Sequence, residues 1–266
     1  MAAPELRLRP TDKIGLVHDI TPHSAGWAHV GFALYRLEAG DAVSGESGDR
    51  ELCLVLVEGT AHIEVEQQDF GPVGTRKSPF EGPPDAVYVP AGAQWRAVAE
   101  TGVELAVCSA PGVRGAYAAR RIPPGSHQQI TRGKGSNTRL VTDILPETDQ
   151  AHALLVVEVI TPNGNTSSYP PHKHDTDNLP AESLLEETYY HRFNPAQGFA
   201  MQRIYTDDRS LDVAVAVENG DVSLVPRGYH PVATVHGYDS YYLNVMAGPH
   251  RTWRFHNAVE HEWMLK

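Results

Sequence analysis

Glycine and proline constrain the fold of this chain more than any other residues. The 266 residues include 23 glycines and 20 prolines. Both residues destabilise the interior of a helix, so this frequency excludes a helix bundle. The runs between them are short, rich in valine, leucine and aromatic residues, and bounded by glycine, proline, aspartate or serine. Such runs are typical of strands, and the pattern predicts an all-β chain.

Strand-like runs occur in both halves of the chain, with similar turns between them. In the first half they are 27–37, 51–58, 61–65, 86–89, 94–99 and 103–108. In the second half they are 140–145, 154–160, 187–193, 199–205, 211–217, 222–225, 232–235 and 241–246. Glu58-Gly59 predicts a hairpin turn, and residues 180–187 are interpreted as one or two turns of helix.

Residues 116–136 differ in composition from both halves. They are rich in arginine, proline, glycine, serine and glutamine and have no sustained periodicity, which indicates a linker. The predicted domains are therefore 1–115 and 137–266. A strand followed by Pro-x-Gly occurs in each, at Pro90 to Gly92 and at Pro226 to Gly228. This shared feature suggests an internal duplication of one β unit.

Charge and hydrophobicity limit the classes of partner. The formal net charge is −11 and basic residues do not cluster, so a nucleic-acid-binding face is not expected. No apolar run approaches the roughly 18 to 20 residues of a membrane helix, and the first residues lack a signal segment. Cys53 and Cys108 lie in apolar runs and are interpreted as buried thiols. We expect a cytoplasmic protein that acts on a small molecule, without a membrane or nucleic-acid partner.

Residues 170–175, which read Pro-Pro-His-Lys-His-Asp, are the most informative for function. His172 and His174 are two residues apart on an extended segment, so both imidazoles point to one side and can meet one ion. A carboxylate from residues 186–193 and His230, which follows the Pro-x-Gly turn, can complete the ligand set. Three histidines and a glutamate leave open positions on a six-coordinate divalent ion, which a substrate needs.

These residues resemble a known family. The similarity is carried by residues 168–175, 186–193, 198–205, 225–231 and 241–248, and more loosely by 51–55 and 88–90. In these stretches the chain resembles the KduI/IolB family of sugar-acid isomerases, within the cupin superfamily. The resemblance implies two tandem cupin-type jelly-roll barrels. The first half has no His-x-His, and Gln94 and Trp95 follow its Pro-x-Gly turn, so we expect its barrel to lack metal ligands and to serve packing or oligomer contacts.

The resemblance also implies a ligand set and an activity. The implied ligands are His172, His174, Glu187 and His230, holding one divalent metal ion, with Zn or Mn favoured. The glutamate lies further from the second histidine than in other cupins, which leaves Glu182 and Glu186 as alternatives. Glu187 is preferred because strand alternation then also turns Tyr189, His191 and Phe193 inward. The implied reaction is the conversion of 5-deoxy-glucuronate to 5-dehydro-2-deoxy-gluconate in myo-inositol catabolism.

An aldose–ketose isomerisation needs a proton carrier and a site for the substrate carboxylate. Candidate proton carriers are His191, Tyr189 and Lys173, each of which could instead support a metal ligand. Candidate carboxylate-binding residues are Arg192, Arg203 and Arg227, each of which could instead form a surface salt bridge. Two other functions stay open: a metal-dependent dioxygenase and a sugar-binding protein without enzymatic activity. Exposed sheet edges favour a homo-oligomer.

Overall fold

The structure, a computed structural model, describes residues 5–11 and 13–265 and consists almost wholly of β-strands. It divides into two compact units that are interleaved in sequence. We call Pro10–Gln128 with Thr142–Val157 the N-terminal unit, and Met1–Arg9, Gln129–Val141 and Glu158–Lys266 the C-terminal unit. Residues 142–157 thus follow the predicted linker in sequence but belong to the compact unit formed by the first half.

The strands are short and regularly spaced. The first twelve are β1 Arg7–Leu8, β2 Gly15–Ile20, β3 Gly31–Leu37, β4 Ala42–Glu46, β5 Arg50–Glu58, β6 Ala61–Val65, β7 Gln68–Val73, β8 Asp85–Val89, β9 Gln94–Ala99, β10 Val103–Pro111, β11 Arg120–Ile122 and β12 Ile130–Arg132. The others are β13 Arg139–Leu145, β14 Leu155–Thr161, β15 Thr166–Ser167, β16 His172–Lys173, β17 Asp175–Asn178, β18 Glu182–Leu184, β19 Glu186–Asn194, β20 Phe199–Tyr205, β21 Asp212–Glu218, β22 Val222–Val225, β23 Val232–Thr234, β24 Asp239–Ala247 and β25 His256–Asn257. The helices are α1 Pro22–Ala25 and two 3-10 helices, Gly135–Asn137 and Val259–Leu265.

Two antiparallel sheets form the N-terminal unit. Their strand orders are β11-β8-β5-β10-β3-β2 and β4-β9-β6-β7. In β6 and β9 buried and more exposed residues alternate, so one face of the smaller sheet is turned to a core that includes Leu54, Leu56, Ile63 and Trp95. Gly59 turns the chain between β5 and β6 with a φ of 84°, and a Cβ there would collide with the Gly102 carbonyl oxygen. Strand β5 pairs with β8 and β10, whereas β6 pairs with β7 and β9, so the chain passes here from one sheet to the other. The prediction of a hairpin at Glu58-Gly59 is therefore wrong, although a turn is present.

The C-terminal unit has a larger and a smaller sheet, as a jelly roll requires. The larger sheet has the order β1-β22-β19-β24-β14-β13-β12, and the smaller one β15-β23-β20-β21. Two further two-stranded ladders, β16-β25 and β17-β18, lie outside these sheets. Strand β19 is central in the larger sheet, where it pairs with both β22 and β24. Its side chains are buried almost throughout, which places polar residues of β19 inside the barrel.

Two further segments differ from their predicted structure. Residues 116–136 contain β11, which pairs with β8, and β12, which pairs with β13. These strands have three residues each, too few for an alternation to be recognised in the sequence. The prediction of helical turns over 180–187 is wrong, because β18 pairs with β17 there as a hairpin. The domain boundaries drawn from the sequence stay predictions.

Cys53 and Cys108 are buried free thiols on paired strands, as the apolar runs predicted. Burial raises the pKa of Cys53 to about 12, which keeps it an inert thiol at neutral pH. Among the described residues, no helix has the length and apolar character needed to cross a bilayer.

Candidate metal centre and active site

Three histidines converge inside the C-terminal unit. His172 lies on β16, His174 follows it, and His230 follows the turn after β22. One ring nitrogen of each lies within 4.8 Å of those of the other two. His174 and His230 are buried, whereas His172 is partly exposed. The cluster therefore has a closed side and an open side.

The turn before His230 needs glycine. Gly228 has a φ of 89°, and a Cβ there would collide with the carbonyl oxygen of Tyr205. Its amide nitrogen donates to Asp175 Oδ2 at 2.8 Å. Because Asp175 directly follows His174, this bond joins the segment that carries the histidine pair to the turn that carries His230.

Glu187 is the glutamate that meets the histidines. Its Oε2 lies 3.1 Å from His174 Nε2 and 3.3 Å from His230 Nε2. Glu182 instead accepts hydrogen bonds from Lys173 Nζ and from the Asp175 backbone nitrogen. Glu186 precedes Glu187 on β19, so strand alternation turns it to the other face of the sheet. The extra sequence between His174 and Glu187 forms the β17-β18 hairpin.

Backbone carbonyls fix the orientation of the imidazoles. His174 Nδ1 donates to the Leu185 carbonyl at 3.0 Å, and His230 Nδ1 donates to the Gly228 carbonyl at 2.8 Å. A carbonyl oxygen only accepts, so both Nδ1 atoms carry hydrogen and each neutral ring has a lone pair on Nε2. Both Nε2 atoms face the carboxylate oxygen Oε2 of Glu187. The buried His230 Nε2 has no hydrogen-bond partner among the described residues. Such a convergence of acceptors is suited to a cation.

The electrostatics of the cluster favour neutral imidazoles at two of the three positions. Burial lowers the pKa of His230 to about 4, and burial together with the neighbouring histidines holds the pKa of His172 well below its usual range. Burial also acts on His174, but its contact with Glu187 raises the pKa of that ring on balance. Metal ions bind neutral imidazole, so His172 and His230 are already in the ligand state near neutral pH.

The open side of the cluster faces a cavity of about 680 Å³. His172, Glu187 and Tyr189 all line it. Its other walls combine hydroxyl and amide groups with a broad aromatic surface, contributed by Ser136, Asn137, Thr166, Ser168, Tyr242, Asn244, Asn257, Trp253, Phe255 and Trp263. A cavity of this size accommodates a small polar ligand.

Part of the cavity wall is positively charged. Arg132, Lys134 and Arg139 line it. The Arg139 guanidinium donates to the backbone and side-chain oxygens of Asn137, and the Arg132 guanidinium lies 5.7 Å from the centre of the Trp253 ring. No carboxylate of residues 5–11 or 13–265 pairs with Arg132 or Arg139. Burial lowers the pKa of Arg139, and the nearby charge of Arg132 lowers it further. Two like charges on one wall attract an anion into the cavity.

Lys173 lies beside the centre but does not line the cavity. Its ammonium group is held by Asp175 at 2.7 Å and by Glu182 at 3.2 Å. Asp175 in turn accepts from Gly228. Lys173 and Asp175 together thus connect the histidine pair, the β17-β18 hairpin and the turn before His230.

His191 is fully buried in the barrel and does not line the cavity either. Its Nε2 lies 3.0 Å from Ser223 Oγ, and Ser223 donates to Gln202. The ring is stacked between Tyr189 and Phe193. Of the three predicted proton carriers, only Tyr189 lines the cavity.

The structure does not bring the three predicted arginines to this cavity. Arg203 forms an exposed salt bridge with Asp212, Arg192 donates to Asn219, and Arg227 is exposed. Sequence reasoning missed the three basic residues of the cavity wall, which lie in or near the stretch interpreted as a linker. A signal was present, since three basic residues occur between 132 and 139, but only the pairing of β12 with β13 brings them to the site.

Comparisons with known proteins agree with this architecture. The model of the KduI/IolB family matches residues 6–264. The chain belongs to the KduI/IolB family. The 5-deoxy-glucuronate isomerase of Geobacillus kaustophilus is 54% identical over 253 residues, which cover 95% of this chain and 91% of that protein.

Solved structures support the same conclusion about the fold. An IolB-like protein from Salmonella typhimurium superposes with a TM-score of 0.97 at 52% identity, covering 99% of this chain and 100% of the other. Bacillus subtilis oxalate decarboxylase superposes with a TM-score of 0.67 at 14% identity, covering 97% and 80%, which shows a shared fold alone. The expected fold of two tandem cupin-type jelly rolls is confirmed.

Proposed function

We propose that this enzyme of the KduI/IolB family is a 5-deoxy-glucuronate isomerase, which converts 5-deoxy-glucuronate to 5-dehydro-2-deoxy-gluconate in myo-inositol catabolism. One observation carries the proposal: a cluster of three histidines and a glutamate opens on a cavity whose wall holds two arginines without carboxylate partners among the described residues. The cluster of histidines and glutamate suits a hydroxy-aldehyde group, and the two arginines suit a carboxylate. A sugar acid carries both.

The donor set fits a divalent metal ion. His172, His174, Glu187 and His230 would hold it, because their acceptor atoms converge and their ring hydrogens are directed away to carbonyls. A divalent ion bound there would supply positive charge that stabilises negative charge developing on the substrate oxygens during proton transfer. We favour Zn or Mn, since imidazole suits the former and the carboxylate with open positions suits the latter.

The basic wall orients the substrate. We propose that Arg139, assisted by Arg132 and Lys134, binds the substrate carboxylate and so places the opposite end of the sugar acid at the His/Glu cluster. A guanidinium group matches a carboxylate with two parallel hydrogen bonds. This assignment replaces Arg192, Arg203 and Arg227, which do not line the cavity.

Glu187 is proposed to carry the proton that moves from C2 to C1, and Tyr189 is proposed to orient it. Glu187 is the one carboxylate among the described residues that line the cavity, and carboxylates serve as general bases in enzymes. The Tyr189 hydroxyl lies 3.0 Å from Ser168 Oγ and also interacts with Glu187. The tyrosine orients the carboxylate, which takes the proton from C2 and returns it to C1.

Three further properties are part of this proposal. Two buried, inert thiols suit a protein of the cytoplasm, and the partner is a small sugar acid. Strand β2 lies at the edge of its sheet and carries Leu16, which is 40% exposed. Ile14, which precedes the strand, is exposed as well. This apolar edge suits a homo-oligomer.

Proton NMR of 5-deoxy-glucuronate with the purified enzyme in deuterium oxide tests the proposed function. We expect loss of the aldose, appearance of the ketose and deuterium at C1 of the product. Ketose without deuterium would point to a hydride shift or a shielded proton, and the isomerase assignment would stand. Absence of reaction in metal-loaded enzyme would contradict it and would favour an oxygenase or a binding protein.

A further inference from the structure

Two consecutive tyrosines on β24 have different surroundings. Tyr241 and Tyr242 are both buried, and their side chains point to opposite faces of the sheet. The Tyr241 hydroxyl donates to Glu158 Oε2 at 3.1 Å. Tyr242 lines the cavity instead. Its hydroxyl interacts with the side-chain hydroxyls of Ser167 and Ser168. Tyr242 is therefore placed to bond a ligand in the cavity.

The position of Tyr242 relates it to both ends of the proposed substrate site. Its ring lies 4.8 Å from that of Tyr189, whose ring is 5.9 Å from that of His230. The charges of Arg139 and Glu187 both act on its hydroxyl. The hydroxyls of Ser167 and Ser168 also interact with the hydroxyl of Tyr242.

The proposed isomerisation needs a second proton carrier besides Glu187, which moves a proton from C2 to C1. In the aldose, C1 carries the carbonyl oxygen O1 and C2 carries the hydroxyl O2. In the ketose, O1 carries a hydrogen and O2 does not. A proton must therefore be delivered to O1 and another removed from O2, while a third leaves C2 and returns to C1. A single neutral hydroxyl that gives one proton and later accepts another satisfies the requirement at oxygen.

We propose that Tyr242 is this catalytic residue, which donates a proton to O1 and later takes one from O2. The inference rests on the proposed isomerase function. As C2 loses its proton to Glu187, the electron pair of the C2–H bond forms the C1–C2 double bond, and O1 takes the proton of Tyr242. The products of this step are a neutral enediol and a phenolate. The phenolate then takes the proton of O2 as C1 is protonated, so the tyrosine is regenerated without an oxidant or reductant.

The surroundings of Tyr242 suit both of its forms. Burial raises the pKa of the phenol, so it begins the cycle protonated. The nearby serine hydroxyls and the Arg139 charge act in the opposite direction and stabilise the phenolate once it has formed. No such set of groups surrounds Tyr241, whose hydroxyl is already bonded to a carboxylate.

The test compares Tyr242→Phe with Tyr241→Phe, which removes the same atom from the adjacent residue. We expect Tyr242→Phe to lower kcat about 100-fold, in the range that acid–base groups contribute. Its KM should stay within about threefold, and its metal content and circular dichroism should match those of the native enzyme, because the carboxylate site and the ligands are untouched. Tyr241→Phe should keep kcat within about threefold.

Other outcomes separate this inference from the proposed function. A native enzyme without isomerase activity would contradict both. An active native enzyme whose Tyr242→Phe variant keeps its kcat would overturn this inference alone, as would an equal loss in both variants. If Tyr242→Phe does not fold, Tyr242→3-fluorotyrosine keeps the ring and hydroxyl but makes the phenol more acidic. An altered kcat at position 242, with none for the same change at 241, supports the proposal, and an unchanged kcat contradicts it.

Discussion

Asp175 accepts a hydrogen bond from the backbone amide of Gly228, with 2.8 Å between Oδ2 and the nitrogen. The other carboxylate oxygen of Asp175 is held by Lys173 Nζ at 2.7 Å. This relationship connects two segments that are distant in sequence but carry three of the proposed metal ligands. The geometry of the metal centre therefore depends on a carboxylate that does not itself belong to the cluster.

Asp175→Asn tests that dependence. The amide cannot present two acceptor oxygens to Lys173 and Gly228, so the turn before His230 loses its attachment. Groups that orient metal ligands typically contribute about 10 to 100-fold in metal affinity, and we expect a loss of that size. Competition with a chromogenic chelator measures it. Asp212→Asn, which alters an exposed salt bridge elsewhere, is the control and should keep native affinity. Unchanged affinity in Asp175→Asn would show that the turn holds without this bond.

Glu187→Gln tests the glutamate ligand. The substitution keeps the size of the side chain but removes the negative charge that faces His174 and His230 at 3.1 and 3.3 Å. We expect metal affinity to fall by at least about 100-fold and turnover to fall with it. Elemental analysis after dialysis, together with the isomerase assay, measures both. Glu186→Gln changes the preceding residue, on the other face of β19, and should retain the metal. Loss of metal from that variant only would assign the ligand to Glu186.

Arg139→Gln tests the site proposed for the substrate carboxylate. Hydrogen bonds to charged groups contribute about 1.5 to 3 kcal/mol, so KM should rise by roughly 10 to 150-fold. Metal content should not change, because Arg139 makes its bonds to Asn137 and not to a ligand. Arg203→Gln tests the sequence-based alternative. A large rise in KM for Arg203→Gln, with none for Arg139→Gln, would restore that alternative.

His191 makes the stability of the C-terminal unit depend on pH. Burial lowers its pKa to about 3, whereas an unfolded histidine has a pKa of about 6.5. Between these values His191 is protonated in the unfolded chain but not in the folded one. Its contribution to stability is therefore lost as pH falls from about 6.5 toward 3. From pH 7 to pH 5 the loss is about 2 kcal/mol, at 1.36 kcal/mol per pH unit below the unfolded pKa.

Urea unfolding of the native protein and of His191→Gln at pH 7 and pH 5 measures this contribution. The native protein should lose more stability between the two pH values than the variant does, by about 2 kcal/mol. The comparison uses the difference between pH values, so a constant packing cost in the variant cancels. Equal losses in both proteins would mean that His191 is not held neutral in the folded state.

Local sequence patterns were sufficient for much of the fold. The bounds predicted for β6 and β9 are those found, because alternating apolar residues and flanking glycines act within a few residues. The His-x-His pair and the Pro-x-Gly-x-His turn were likewise recognisable, since each is local. The family resemblance implies Glu187 and alternation along β19 favours it, and in the structure its carboxylate lies with the histidines.

Interactions between distant residues account for what the sequence did not predict. Glu182 is bonded to Lys173 and to the backbone of residues 175 and 176, which draws 180–187 into a hairpin despite its helix-favouring composition. Arg132 and Arg139 reach the cavity through the pairing of β12 with β13. His191 and Lys173 are close to ligands in sequence, but their partners in the barrel and in the hairpin hold them outside the cavity.

The most direct test of this account is the dependence of isomerase activity on a metal at the His/Glu centre. The purified enzyme would be depleted with a chelator and titrated with Zn or Mn while the ketose is followed by proton NMR, with His172→Ala in parallel. We predict that activity is lost on depletion, returns with one bound ion per chain, and does not return in the variant. Full turnover by the depleted enzyme, or by metal-free His172→Ala, would contradict the account.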